Sequence, residues 1–193
     1  MTSTNFFEQA LAKLTSLASG FPASENHIGE VGGNLAIVQA GFGRLSNATP
    51  YAANTAVIRN GAIPISFPST ARAAGKTGYI NSAICSTSLV AMTGQLRLHL
   101  FSVTPLQVAT DGNPFIVHTD NDLSVLGWID FLTFNSGGTG SNASRSAGTL
   151  NPSPLAFRTE PTSTTIFGLV QSLNAWTPTS GQNFAFQLFA DRY

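Results

Sequence analysis

From Leu35 to the C-terminus, apolar and polar residues alternate with a period of two, the signature of strands with one buried face. Leu96, Leu98 and Leu100 alternate with Arg97, His99 and Phe101, which predicts a strand with its leucines inward. Phe184, Phe186 and Leu188 alternate in the same way with Ala185, Gln187 and Phe189. Further strands are expected near residues 35–43, 55–59, 63–67, 78–85, 127–134, 155–159 and 165–172, all rich in β-branched and aromatic side chains. Turn residues separate them, as at Asn60-Gly61, Thr93-Gly94 and Ser180-Gly181. About eight or nine short strands with no second helical pattern predict an all-β fold, an antiparallel β-sandwich of jelly-roll type. Fourteen phenylalanines supply ample core for two facing sheets.

Before Leu35 the period is different. Residues 5–19 read as one amphipathic helix, with Asn5 as its cap and Glu8 completing a capping box. Phe7, Leu11, Leu14 and Ala18 recur at helical spacing, flanked by Phe6, Ala10 and Leu17, and Gly20 and Pro22 supply the stop. A helix of about four turns is marginal alone in water and has to dock. The chain is therefore expected to divide into an N-terminal helix and tether, 1–33, and a sandwich, 34–193. Phe6, Phe7, Leu11, Leu14 and Leu17 are the candidate inter-subunit interface, with docking on the chain's own sandwich as the other option. Two long connections interrupt the strands, 104–126 and 135–154, and the second is so rich in Gly, Ser and Asn that no core packing is expected of it.

Charge changes the picture most. Only nine basic and nine acidic residues occur among 193, whereas Ser, Thr and Asn supply 55. An ordinary domain carries about a quarter charged residues. A neutral, hydroxyl-rich surface has little to repel a neighbour, which suits a protein packed against its own copies or other subunits. The seven arginines are scattered singly and only Lys13 and Lys76 are lysines, so a nucleic-acid partner is disfavoured. No apolar run approaches the roughly 18 residues of a membrane span. No secretory signal is visible, so production in a cytosol is expected. Cys85 is the sole cysteine, which excludes an intrachain disulfide, and its strand position predicts a buried, inert thiol.

Candidate chemistry is sparse. There is no Gly-x-Ser-x-Gly elbow, and His99, opposite the leucine face of its strand, reads as a solvated or interface histidine. His118, Asp120 and Asp122 alternate in one loop and form the best metal candidate, but the EF-hand pattern lacks its glycine and terminal glutamate. A carboxylate capping a short turn before Leu123 is the better reading. Gly137-Gly138-Thr139-Gly140-Ser141 lacks the lysine of a phosphate loop. No catalytic, cofactor or metal residue is assigned. Trp128 and Trp176 are expected in the core, although exposed aromatics would be needed for carbohydrate binding.

Several phrases occur together in a fixed order: residues 27–34 (HIGEVGGN), 49–54 (TPYAAN), 78–80 (GYI), 96–101 (LRLHLF), 120–123 (DNDL), 127–131 (GWIDF), 155–157 (LAF), 167–170 (FGLV) and 175–178 (AWTP). As an ordered set spanning residues 27–193 they resemble a family of small virion structural proteins of tailed bacteriophages. The resemblance implies a β-sandwich behind a short helical lead, a role in the head, and no catalytic or cofactor residues. The implied function is that of a non-enzymatic capsid cement or decoration protein on the capsid exterior, assembled in the host cytoplasm. Its partners would be the major capsid protein and its own copies, as a homotrimer around a three-fold site. The alternative is a tail-fibre or receptor-binding module recognising host surface glycans; a sandwich-fold glycosidase ranks last, since no acid–base pair can be named.

Overall fold

The computed structural model describes residues 34–193 apart from 60, 107, 118–123 and 137–142. The helix expected over 5–19, the tether, and the stripe Phe6, Phe7, Leu11, Leu14 and Leu17 lie outside the described residues, as do His118, Asp120 and Asp122. Asn34–Tyr193 forms one unit.

Twelve strands follow one another: β1 (Leu35–Gly43), β2 (Ala56–Val57), β3 (Ile65–Phe67), β4 (Thr77–Thr87), β5 (Leu96–Phe101), β6 (Val125–Phe131), β7 (Asn135–Ser136), β8 (Ser144–Ala147), β9 (Thr149–Asn151), β10 (Leu155–Arg158), β11 (Ile166–Ser172) and β12 (Asn183–Arg192). They form two antiparallel sheets. Sheet I runs β1-β12-β4-β8-β7, with β10 also on β4; sheet II runs β2-β11-β5-β6-β9, with β3 also on β11. The pairing is nested: the first strand lies on the last, β2 and β3 lie on β11, β4 pairs β8 and β10, and β5 pairs β6. Nesting of this kind, wrapped over two sheets, is the jelly roll expected from the strand pattern.

The period-two alternation produces the core. Val38, Phe42, Ile80, Cys85, Phe184, Phe186 and Leu188 from sheet I face Phe67, Leu96, Leu98, Leu100, Ile129, Phe131 and Ile166 from sheet II in one buried cluster. Phe131 and Phe186 meet between the sheets with centroids 5.8 Å apart, a tilted pair. Alternation breaks twice. In β4 the buried phase moves from Gly78 and Ile80 to Ala83 and Cys85, because β12 skips Asn81 between Ala190–Ile80 and Phe189–Ser82. In β6 the pairs Leu100–Gly127 and Phe101–Val125 leave Leu126 as the extra residue. Gly127 has φ 144° there, and a Cβ would sit 3.0 Å from Leu155 and 3.1 Å from Pro152, so glycine is required.

The stretch 135–154 departs from expectation. It carries β7, β8 and β9, and inward-facing Ser144 and Ser146 are fully buried. Small hydroxyl side chains fill the space at the margin of the core, and Ser144 is satisfied by donating to the Leu89 carbonyl at 2.6 Å. β8 and β10 share one side of the long strand β4, pairing with Ile84–Thr87 and Thr77–Ile80 respectively. Replacing Phe186 by Ala removes a ring packed from both sheets and is expected to cost about 3–5 kcal/mol. Urea denaturation checks this; a loss below 1 kcal/mol, roughly that of a surface change, would contradict the central position assigned to the ring.

Candidate functional site

Three features outside the core carry the polar chemistry and the exposed surface. The first is a buried ion pair. Arg44, just beyond β1, places Nη2 3.0 Å from Asp111 Oδ2, with side-chain exposures of only 1 % and 8 %. Asp111 also accepts from the Tyr51 hydroxyl at 2.5 Å and from the Ile58 backbone N–H at 3.0 Å. Arg44 Nε donates to the Tyr51 oxygen, and its guanidinium lies 4.6 Å over the Tyr51 ring. Burial, reinforced by the Asp111 carboxylate, pushes the Tyr51 hydroxyl far above its ordinary range, so it stays a donor. Tyr51 stacks on Trp176 at 5.0 Å, and Trp176 meets Phe184 edge-on at 6.3 Å. The column therefore runs from the core outward to the ion pair.

This arrangement fastens the connection between β5 and β6. Gly112 and Asn113 exchange backbone hydrogen bonds with Ala56, and Phe115 N–H donates to the Asn54 carbonyl. The connection consequently folds over the outer face of sheet II. There Phe115, Val108 and Val117 pack against a second apolar cluster of Ile58, Phe101 and Leu169.

The second feature is the polar row on that same outer face. Arg97 donates from Nε and Nη2 to the two Asp130 oxygens at 2.7 and 2.9 Å, and lies 4.8 Å over the Trp128 ring. His99 stacks on Phe115 at 4.6 Å and its Nε2 contacts Gln171 Oε1 at 2.9 Å. Gln171 in turn donates to Asn54 Oδ1 at 3.0 Å, which leaves His99 as the donor to Oε1. Burial lowers the His99 pKa, aided by Arg97, against the opposing pull of the Gln171 hydrogen bond and Asp130. His99, expected as a solvated or interface histidine, lies on the outer face and is partly buried because Phe115 of the connection stacks on it. Trp128 likewise departs from expectation. It shares the outer face with His99 and is half-buried, whereas Trp176 is in the core as expected.

The third feature is the outer face of sheet I. Its residues include Leu35, Ile37, Gln39, Gly41, Tyr79, Ile84, Ala185 and Gln187, among them exposed Leu35 (55 %), Ile37 (57 %) and Tyr79 (43 %). Asp191, between Leu35 and Tyr79, and exposed Arg145 and Arg158 lie on the same face. Isolated exposed aliphatics are ordinary, but neighbouring ones at the Leu35–Ile37 end of the sheet mark a candidate interaction surface.

Among the described residues, no three His, Cys, Asp or Glu side chains cluster to hold a metal ion, and no helix is long and apolar enough to cross a membrane. The Cys85 thiol is fully buried and its pKa is raised, as its strand position predicts. Sequence reasoning did not single out Asp111, which lies in no motif and whose partners are 53 to 67 residues distant along the chain. No protein-family model and no curated protein sequence matches the chain.

Truncating Asp111 to Ala strands a buried guanidinium and is expected to cost about 3–5 kcal/mol, while Tyr51→Phe costs about 1–3 kcal/mol. Chemical denaturation of both variants tests this, and equal, negligible losses would contradict it. His99 gives a pH dependence. Because its folded pKa is depressed, the unfolded chain binds the proton more readily, so stability is complete above the unfolded pKa of about 6.5 and falls as pH drops below it. The melting temperature should decline between about pH 7.5 and about pH 5.5, and His99→Gln should flatten that decline. An identical slope in the variant would assign the dependence elsewhere.

Proposed function

We propose that the protein is a non-enzymatic structural component of a tailed-bacteriophage virion, a cement or decoration protein on the capsid exterior. It binds the major capsid protein and its own copies, around a three-fold site as a homotrimer, and is assembled in the host cytoplasm. The observation that carries the reading is the exposure of Leu35, Ile37 and Tyr79 on the outer face of sheet I, on a chain with only 18 charged residues. The ordered phrases across residues 27–193 give this face its context. Bound to a shell, such a protein adds interfaces that internal pressure must break, and stable contacts of this kind bury about 1,200–2,000 Å² or more.

The N-terminal residues Phe6, Phe7, Leu11, Leu14 and Leu17 supply the exchanging part of the contact. Co-sedimentation with purified shells lacking the protein tests the proposal. The full chain should pellet with the shells to saturation, and a variant lacking residues 1–33 should stay folded and remain in the supernatant. Failure of the full chain to bind shells would overturn the reading, and undiminished binding by the truncated chain would remove the N-terminal segment from it.

Half-buried Trp128 beside the Arg97–Asp130 pair favours a second reading, a receptor-binding module for host surface glycans. Glycan binding lost in Trp128→Ala, with the fold retained, would support that reading instead.

A further inference from the structure

Strand β1 is the edge of sheet I, and it is unlike the other edges. It is nine residues long, whereas β7 and β2 have two each, β3 and β9 three and β10 four. Short edges cannot template much pairing; a long regular one can. The phase of the β1–β12 ladder says which groups are available. Arg192 N–H donates to the Asn34 carbonyl and Arg44 N–H to the Gln182 carbonyl, and the register between them is unbroken. Asn34, Ala36, Val38, Ala40, Phe42 and Arg44 therefore bond to β12. The backbone N–H and C=O of Leu35, Ile37, Gln39, Gly41 and Gly43 point to the open side. No hydrogen bond from a described residue reaches them.

Natural edges of this length carry lysine, proline, a bulge or an inward charge that blocks another strand. β1 has none of these: residues 34–43 read NLAIVQAGFG, without a charge or a proline, and the pairing with β12 shows no register shift. A copy of the same strand meets no repulsion there. The side chains also fit. Antiparallel pairing of β1 with itself about a two-fold axis through Gln39 sets Leu35 opposite Gly43 and Ile37 opposite Gly41, with Gln39 facing its mate. Each exposed aliphatic then lies across from a residue with no side chain, and both amides at the axis find a partner. Beside Gln39–Phe42 runs a groove of about 280 Å³, walled on its far side by Pro64, Ile65 and Pro68. In this pairing the partner's residues 36–39 pass along that groove. Arg59 is the single charged residue lining it and is exposed to solvent.

We infer that the β1 edge is a self-association site, in which two copies join their first sheets into one continuous sheet through a two-fold β1–β1 pairing centred on Gln39. The symmetry is isologous, so the contact closes at two. Copies grouped around a three-fold site and joined in pairs by β1 make a continuous net, which specifies how self-binding would span a shell. The inference draws on the self-association part of the proposed function but is read in solution, without a virion.

Sedimentation of the purified full chain and disulfide trapping test it. Wild type should sediment as a dimer or an even multiple, and Ile37→Lys, which sets two charges onto the paired face, should halve that mass with its circular dichroism unchanged. Gln39→Cys should form a disulfide-linked pair under mild oxidation, since opposed hydrogen-bonded residues hold their Cα atoms about 5.5 Å apart, within disulfide range. Exposed Ala175→Cys, away from the edge, should not. A wild-type monomer or a trimer indifferent to Ile37→Lys would overturn the inference, as would Gln39→Cys that stays unlinked. Absence of the protein from virions would leave a dimer result standing, which separates this inference from the virion reading.

Discussion

The buried contact between Asp111 and Arg44 sets the arrangement of much that lies outside the two facing sheets. One carboxylate receives Arg44, the Tyr51 hydroxyl and the Ile58 amide, and so ties the end of β1, the segment before β2 and the long β5–β6 connection to one point. A charge this deep is tolerated only when every partner is in place. The tie acts together with the backbone hydrogen bonds from the connection to Asn54 and Ala56 and with a few aliphatic and aromatic contacts over sheet II. With it, Phe115 covers His99, Phe101 is buried on the face that alternation assigns to solvent, and Gln171 and Asn54 close a polar chain beside them.

The two outer faces consequently differ. Sheet II is partly roofed by its own chain, and its remaining polar row is internally satisfied through Arg97–Asp130 and His99–Gln171. Sheet I has no such roof among the described residues and presents aliphatics, glycines, amides and hydroxyls, with Asp191, Arg145 and Arg158 among them. Charge is scarce along the chain, and two ion pairs, Arg44–Asp111 and Arg97–Asp130, organise a loop and a strand face. A surface of that kind favours close approach of other subunits, which is the physical content of the cement proposal.

The jelly roll was legible in the sequence because period-two alternation registers directly which residues face inward. Leu96, Leu98 and Leu100, and Phe184, Phe186 and Leu188, are all fully or almost fully buried. Where a bulge inserts one residue the same rule fails, as at Asn81 and Leu126, since nothing local marks the phase change. The serine-rich stretch 135–154 hid three short strands because its inward positions, Ser144 and Ser146, are small and hydroxylic rather than apolar. Trp128 was expected in the core and lies on the outer face under the Arg97 guanidinium, while His99 is on the expected face but is covered by Phe115; alternation gives a side but not what covers it. Asp111 was invisible altogether, because an ion pair closed over 67 residues leaves no spacing to read. Two phrases of the phage-like set, residues 49–54 and 175–178, meet in the fold at the Tyr51–Trp176 stack.

The central claim is that the chain is a stoichiometric part of a phage head. Quantitative mass spectrometry of purified virions, read against the major capsid protein, measures this directly. The account predicts a fixed, whole-number ratio to the shell subunit, unchanged between preparations. A trace amount matching tail or fibre components would contradict the cement role, and complete absence from the particle would contradict the virion assignment itself.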